Sequence, residues 1–239
     1  ALLHGRWFKC RWRKTWQIAP DAPGTAPRLL VGRSSQDRYS DPGTALMTSG
    51  DAGRALLQFT ADGQSIFLAG AGASPEGDRP FVDRFNLASG QKERLFQSQD
   101  GSYSVPMAVL DDAGKTLLIS RETPDVPANV LVLDLASGSE RALTDVRHPV
   151  PALAGVRKEQ IRYTRADGVQ LTAELLLPPG YDAKRDGPRP VLLWAYPGEF
   201  KSAETASQVT GSPYRFNAPG YWGPQAMLAR GWVVLNNPS

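Results

Sequence analysis

A chain of 239 residues with 41% hydrophobic content can bury a real core, and a formal charge of +3 is too small to imply a polyanionic partner for the whole molecule. Its 23 glycines and 20 prolines are spread along the chain, which suits many short strands joined by tight turns and speaks against disorder. A single cysteine, Cys10, and two distant histidines, His4 and His148, exclude a disulfide framework, a thiol-based metal cluster and zinc chemistry, so no cofactor and no metal are expected.

No run reaches the ~18 apolar residues needed to span a bilayer, so no membrane partner is expected. Residues 1–6 contain neither an initiator methionine nor a signal peptide, and the chain reads as cut from something longer.

The first segment is locally basic. Arg6, Lys9, Arg11, Arg13 and Lys14 are interleaved with Trp7, Phe8, Trp12 and Trp16. Stacking and basic side chains together suit single-stranded nucleic acid. The same residues also read as a strand, with Trp12, Lys14, Trp16 and Ile18 on one face and Arg11, Arg13, Thr15 and Gln17 on the other. The strand is the reading adopted, and no nucleic-acid partner is expected. Residues 14–19 and 28–32, joined by the loop 21–27, then form the second half of a four-stranded unit.

A repeat follows. Asn86-Leu87-Ala88-Ser89-Gly90 returns 48 residues later as Asp134-Leu135-Ala136-Ser137-Gly138, each copy followed by a basic and apolar run. Upstream of each copy, residues 56–60, 61–63 and 65–69 match 107–110, 111–114 and 116–120. Each unit reads as four short strands with Asp and Gly at a turn, and a period of about 40 to 50 residues belongs to β-propeller blades. Two and a half blades are present, and because propellers close at about four to eight blades, others are expected before Ala1.

The pattern changes after Asp145. Residues 147–155, with Pro149 and Pro151, read as an extended linker, which sets the expected domains at 1–152 and 153–239. Residues 159–165 and 170–177 form a hairpin about Ala166-Asp167-Gly168, stopped by Pro178-Pro179-Gly180. A polar loop, 182–190, leads to 191–196, an unbroken apolar run of the kind covered on both faces. Pro224 at the first helical position and Gly231 past the last delimit a short helix over 225–230, and 232–235 form another buried strand. These elements make the opening of a mixed α/β sheet. The fold class read from these elements is β-propeller blades followed by the opening of a mixed α/β sheet.

The residues that follow the linker carry a resemblance. Ile161-Arg162-Tyr163, the run from Asp167-Gly168 to Thr172-Ala173, and Leu177-Pro178-Pro179-Gly180-Tyr181-Asp182 resemble the start of the catalytic domain in the prolyl oligopeptidase family. Trp194-Ala195-Tyr196-Pro197-Gly198-Glu199-Phe200-Lys201-Ser202, with Gln208-Val209 and Gly211-Ser212-Pro213, resembles its glutamyl endopeptidase branch. So do Tyr39-Ser40-Asp41-Pro42-Gly43 and the stretch from Pro75-Glu76-Gly77 to Phe81. In that family the propeller precedes the hydrolase domain, so the resemblance implies a fold class of β-propeller blades followed by the N-terminal part of an α/β-hydrolase domain.

An acyl-transfer peptidase needs a nucleophile, a base, a carboxylate to orient the base, and donors for the oxyanion. No Gly-x-Ser-x-Gly elbow occurs, since Gly101-Ser102 and Gly211-Ser212 lack the second glycine. Neither His4 nor His148 is in hydrolase order, so the triad is expected beyond this chain and the chain alone is expected to be inactive. In α/β-hydrolases the loop after the third strand supplies part of the oxyanion hole, and here that loop begins at Tyr196. The resemblance implies that the Tyr196 hydroxyl is an oxyanion donor; otherwise it is the last packed aromatic of a buried strand. Glu199 and Lys201 read as a salt-bridged loop pair. A glutamate-selective pocket needs a cation, for which Lys201, Arg162, Arg165 and Arg215 are unranked candidates.

The resemblance implies a serine peptidase that hydrolyses peptide bonds after Glu, partnered by its peptide substrate and the remainder of its own polypeptide; the residues do not show its compartment or oligomeric state, and the family resemblance is compatible with a bacterial periplasm or a plastid. The alternative is a non-catalytic propeller that binds protein or peptide. In the usual hydrolase strand order a fifth strand lies beside 191–196, so without it an apolar edge is expected to be exposed and to promote association.

Overall fold

The computed structural model describes every residue except Pro197, Tyr221, Trp222 and Ser239, with Ala52 described by its backbone alone. Strands β1 (Leu2–Trp7), β2 (Trp12–Gln17) and β3 (Arg28–Ser34) form an antiparallel sheet in that order. Next come β4 (Thr44–Ala45), β5 (Met47–Ser49), β6 (Ala55–Leu57), β7 (Ser65–Gly70), β8 (Phe81–Asn86) and β9 (Lys92–Gln97). Of these, β4-β7-β8-β9 make a second sheet, while β5 and β6 pair only with each other. A third sheet runs β10 (Tyr103–Val109), β11 (Thr116–Glu122), β12 (Asn129–Asp134), β13 (Glu140–Ala142).

The repeated pentapeptide is a turn device. Asp134 Oδ1 accepts from the backbone N–H of Ala136 and Ser137 and from the Ser137 hydroxyl, and Gly138, at φ 70°, closes the turn with its N–H on the Asp134 carbonyl. Asn86 Oδ1 does the same for Ala88 and Ser89. One side-chain oxygen thus satisfies donors that the turn would leave open, which is why Asn and Asp alternate there without changing the hairpin.

The other half of the repeat is only partly right. Residues 56–60 do not form the first strand of the second sheet; β6 folds back on β5, and the first strand is β4, through Thr44↔Ala69 and Ala45↔Leu68. The chain rejoins the sheet at Phe59↔Ile66 and at the Thr60 N–H to the Ser65 carbonyl. In the third sheet the equivalent strand is continuous but has a bulge between Pro106 and Ala108. A bulge already leaves a residue unpaired, and the β5–β6 excursion enlarges that same break. Apolar Leu56 suggests a core strand but is 51% exposed on that excursion. Strand β1 is a further element that the sequence pattern does not reveal; its Gly5 lies across from Lys14 and opens room for the Trp16 ring, which meets Trp7 edge-on at 5.9 Å.

Sheets pack face to face. Leu2 and Leu30 of the first sheet meet Ile66, Leu68 and Phe85 of the second. Phe67 and Val82 of the second meet Val109, Leu117, Ile119, Leu131 and Leu133 of the third. Gly114, at φ 72°, turns beneath Phe67 and Leu95, where a Cβ would come within 2.8 Å of both side chains. Between the first two sheets runs a groove of about 920 Å³, lined by the apolar faces of β3, β7 and β8 with Arg13 and Lys92 at its rim.

The expected extended linker contains a 3-10 turn, Pro151–Leu153, which drops Leu153 into the next core. Strands β14 (Arg157–Thr164), β15 (Gln170–Leu177), β16 (Val191–Trp194) and β17 (Val233–Asn236) are ordered β14-β15-β17-β16. All neighbours are antiparallel except β16 and β17, which are parallel. A parallel pair requires a crossover. Residues 195–232 supply it, with helices α2 (Ala203–Ala206) and α3 (Gln225–Leu228); helix α1 (Ala183–Asp186) lies in the loop before β16.

The crossover covers one face. Leu228 of α3 packs with Leu153, Val156, Leu176 and Val234, and Leu192 leans on that cluster. The expectation of a strand covered on both faces over 191–196 is therefore corrected: β16 is four residues long and lies at the edge, with Val191 and Leu193 about 60% exposed. Continuous apolarity marks a strand meant for burial but cannot say whether its neighbours are present. The helix is likewise shorter than 225–230, because Gly231 (φ 79°) ends it with its N–H on the Leu228 carbonyl.

Two outcomes follow from this packing. Leu117→Ala, at a fully buried position between sheets, should cost about 2 to 5 kcal/mol, read as a lower urea midpoint at unchanged m-value. Asp134→Ala should lower the melting temperature while Asp134→Asn leaves it near wild type, because Asn86 already closes the same turn with an amide.

Candidate functional site

The carboxyl ends of β16 and β17 lie side by side, since the Asn237 N–H donates to the Trp194 carbonyl at 2.8 Å. Asn237 takes φ 47°, a left-handed conformation rare outside glycine. Tyr196 leaves β16 at this end with its side chain 90% exposed, so it is not a packed strand aromatic. Pro197, the next residue of the motif, lies outside the described residues.

Below this end is a polar cavity of about 350 Å³. The strand register explains it. Lys158, Leu176 and Val234 stand in one row and Gln160, Glu174 and Asn236 in the next on the same face, so that face is apolar under α3 and polar toward the end of β17. Glu174 accepts from Asn236 Nδ2 at 3.0 Å, and Lys158 Nζ donates to the Arg215 carbonyl at 3.1 Å. Burial pulls the Lys158 ammonium below the ordinary lysine value, opposed by the Glu174 carboxylate.

Of the four cations named from the sequence, Arg215 lines this cavity. Its guanidinium pairs with Glu122 at 3.3 Å and lies over the Tyr103 ring, tying the crossover to the third sheet. Arg162 donates to the Pro75 carbonyl, and Arg165 pairs with Asp167 in its own hairpin turn. Lys201 and Glu199 do form a loop pair, at 3.7 Å, but Glu199 also receives Arg11 at 3.3 Å. His4 contacts the Thr15 hydroxyl, and His148 accepts the Val150 N–H and packs edge-on against Phe216, so both hold local structure.

The crossover also docks on loops of the first two sheets, a contact that sequence reasoning does not anticipate. The Arg38 N–H donates to Gln208 Oε1, Gln208 Nε2 to Asp37 Oδ1, and the Val209 N–H to the Tyr39 hydroxyl, at 2.7 to 2.8 Å. Arg38 forks onto both oxygens of Asp78, itself buried, whose N–H reaches the Gly211 carbonyl. Every stretch involved lies in or beside one that carries the family resemblance, around Tyr39, around Pro75 to Asp78 and around Gln208 to Pro213. What is not readable in the sequence is that they meet, because contacts across more than 130 residues leave no periodic signal.

Comparison with known proteins bears on this arrangement. No protein-family model matches the chain. It is 42% identical over 253 aligned positions to the Oryza sativa subsp. japonica protein named "Probable glutamyl endopeptidase, chloroplastic", and 39% identical to the Arabidopsis thaliana protein of the same name. By sequence the chain is therefore similar to part of two proteins named as glutamyl endopeptidases. The matches cover 100% of the chain but only 27% and 26% of those relatives, so it spans about a quarter of their length.

Among solved structures, a puromycin-hydrolyzing peptidase of Mycobacterium tuberculosis aligns with TM-score 0.54 at 16% identity, covering 99% of this chain and 39% of that one. Dipeptidyl peptidase 4 of Porphyromonas gingivalis aligns at 0.51 and 16%, covering 99% and 37%. At this identity the likeness concerns fold, and the antiparallel sheets are blades of the propeller type found in such relatives.

The docking predicts a pH dependence. Hydrogen bonds from Ser40 and then Gln208 hold the Asp37 carboxyl below its ordinary value of about 3.9. A depressed carboxylate contributes stability that is present above the unfolded value and lost as pH falls through the lower folded one. Between pH 5 and about pH 2.5 the urea midpoint of the wild type should therefore fall further than that of Asp37→Asn; parallel curves would show that Asp37 does not hold the loops.

Proposed function

We propose that this chain is the last blades of a propeller, residues 1–152, and the opening strands of an α/β-hydrolase domain, residues 153–239, in a serine peptidase that hydrolyses peptide bonds after glutamate. The observation that carries the reading is Tyr196, freely exposed where the two parallel strands end. In open α/β sheets, ligands bind outside the carboxyl ends of the strands, and Tyr196 directly follows the carboxyl end of β16.

In the mechanism the nucleophilic serine and its Asp and His partners come from polypeptide beyond this chain. Attack on the scissile carbonyl moves charge onto its oxygen, and the Tyr196 hydroxyl donates to that oxyanion. Such a donor accelerates the reaction because it binds the tetrahedral state more strongly than the planar carbonyl. An acidic side chain requires a cation, and of the four named from the sequence Arg215 is the one that lines the polar cavity. The identity to proteins named glutamyl endopeptidase supports this substrate class.

Two measurements test the reading. In the polypeptide that joins this chain to a triad, Tyr196→Phe should lower kcat by about 10²- to 10³-fold with KM little changed; an unaltered kcat removes the oxyanion role. The 239-residue chain alone should not react with a serine-directed fluorophosphonate, and stoichiometric labelling would place a nucleophile within it.

A further inference from the structure

An oxyanion donor is useful only if it is held still, and the Tyr196 side chain is 90% exposed, so its own packing cannot hold it. Its position must come from the backbone on either side. Upstream, the Asn237 N–H on the Trp194 carbonyl fixes the end of β16. Downstream, the anchor comes from the far side of the sequence. Gln36, in the loop after β3, donates from Nε2 to the Glu199 carbonyl at 2.6 Å and accepts the Lys201 N–H on Oε1 at 3.0 Å.

The two bonds bridge Phe200 as the peptide group of a neighbouring strand would, and they use both ends of one carboxamide. Arg11 reinforces the grip by reaching Glu199 Oε2 at 3.3 Å. Arg11 is itself constrained: its backbone takes φ 55° in the β1–β2 turn, its guanidinium lies 4.0 Å from the Phe8 ring centroid, and its carbonyl receives the Ser35 N–H. Both contacts come from loops of the first sheet and land three to five residues past Tyr196.

We propose that Gln36 is a positioning residue for the Tyr196 loop, so that the first blade, and not only the hydrolase sheet, sets the geometry of the oxyanion donor. The proposal rests on the oxyanion reading of Tyr196 for its catalytic consequence, while the clamp itself stands on the two hydrogen bonds. The basic, aromatic first segment gains a role in the same way, since its Arg11 braces the loop that Gln36 holds. The effect passes through the backbone of residues 199–201.

The test uses two variants and two readouts. In the 239-residue chain, amide hydrogen exchange at Lys201 should speed up at least tenfold in Gln36→Ala, with exchange at Leu117 in the propeller core unchanged as the control for folding. Gln36→Glu, which keeps an acceptor for Lys201 but loses the donor to Glu199, should fall between Gln36→Ala and wild type. In the polypeptide that carries the triad, Gln36→Ala should lower kcat about 10- to 100-fold with KM within about twofold.

Unchanged Lys201 exchange in Gln36→Ala overturns the clamp. Faster exchange with unchanged kcat, in an enzyme that Tyr196→Phe does impair, overturns the positioning role. If instead Tyr196→Phe has no effect on kcat while Gln36→Ala still frees the Lys201 amide, the clamp is supported and the oxyanion reading is the part that has failed.

Discussion

The parallel pairing of β16 with β17 is the constraint from which the rest of the arrangement follows. Two parallel neighbours cannot be joined by a tight turn, so the chain must leave one end of the sheet and return to the other. The described residues among those 38 crossover positions, 195–232, contain little regular structure of their own, with two helices of four residues each. They are held by what they touch. On one side lies the apolar row of the mixed sheet, closed by Leu228. On the other lie the loops of three antiparallel sheets, closed by Gln36, Tyr39, Asp78 and Glu122.

This division of labour also explains the chemistry of the contact. Between sheets the seams are apolar, with Phe67, Leu117 and Ile119 wholly buried. Between the sheets and the crossover they are hydrogen bonds and ion pairs, many of them to backbone groups. A loop without a strand or helix ladder has open N–H and C=O groups that must be satisfied somewhere, and side-chain carboxamides, carboxylates and hydroxyls from neighbouring loops do so. A polar seam gains less from burial than an apolar one but specifies its register more sharply. That suits a segment that carries Tyr196 at a set position.

The sequence resemblance and the geometry coincide at one place in particular. The stretches that resemble the glutamyl endopeptidase branch, around Tyr39, Pro75 to Asp78, and Gln208 to Pro213, are scattered along the chain yet form one contact.

The sequence by itself determined the elements whose physics is local. The turns at Asn86 and Asp134, the hairpin about Gly168, the stop at Gly231 and the four-strand period all depend on residues within a few positions of each other, so their signals survive in the bare order of amino acids. Tyr196 stands out because its motif is contiguous, and the lack of a serine elbow is legible for the same reason. Tertiary structure alone decided where the first strand of the second blade is interrupted and which cation lines the cavity. It also decided that Gln36 and Lys201, 165 residues apart, share a hydrogen bond. Burial and long-range pairing are properties of what surrounds a residue, and a linear sequence records neighbours along the chain but not across space.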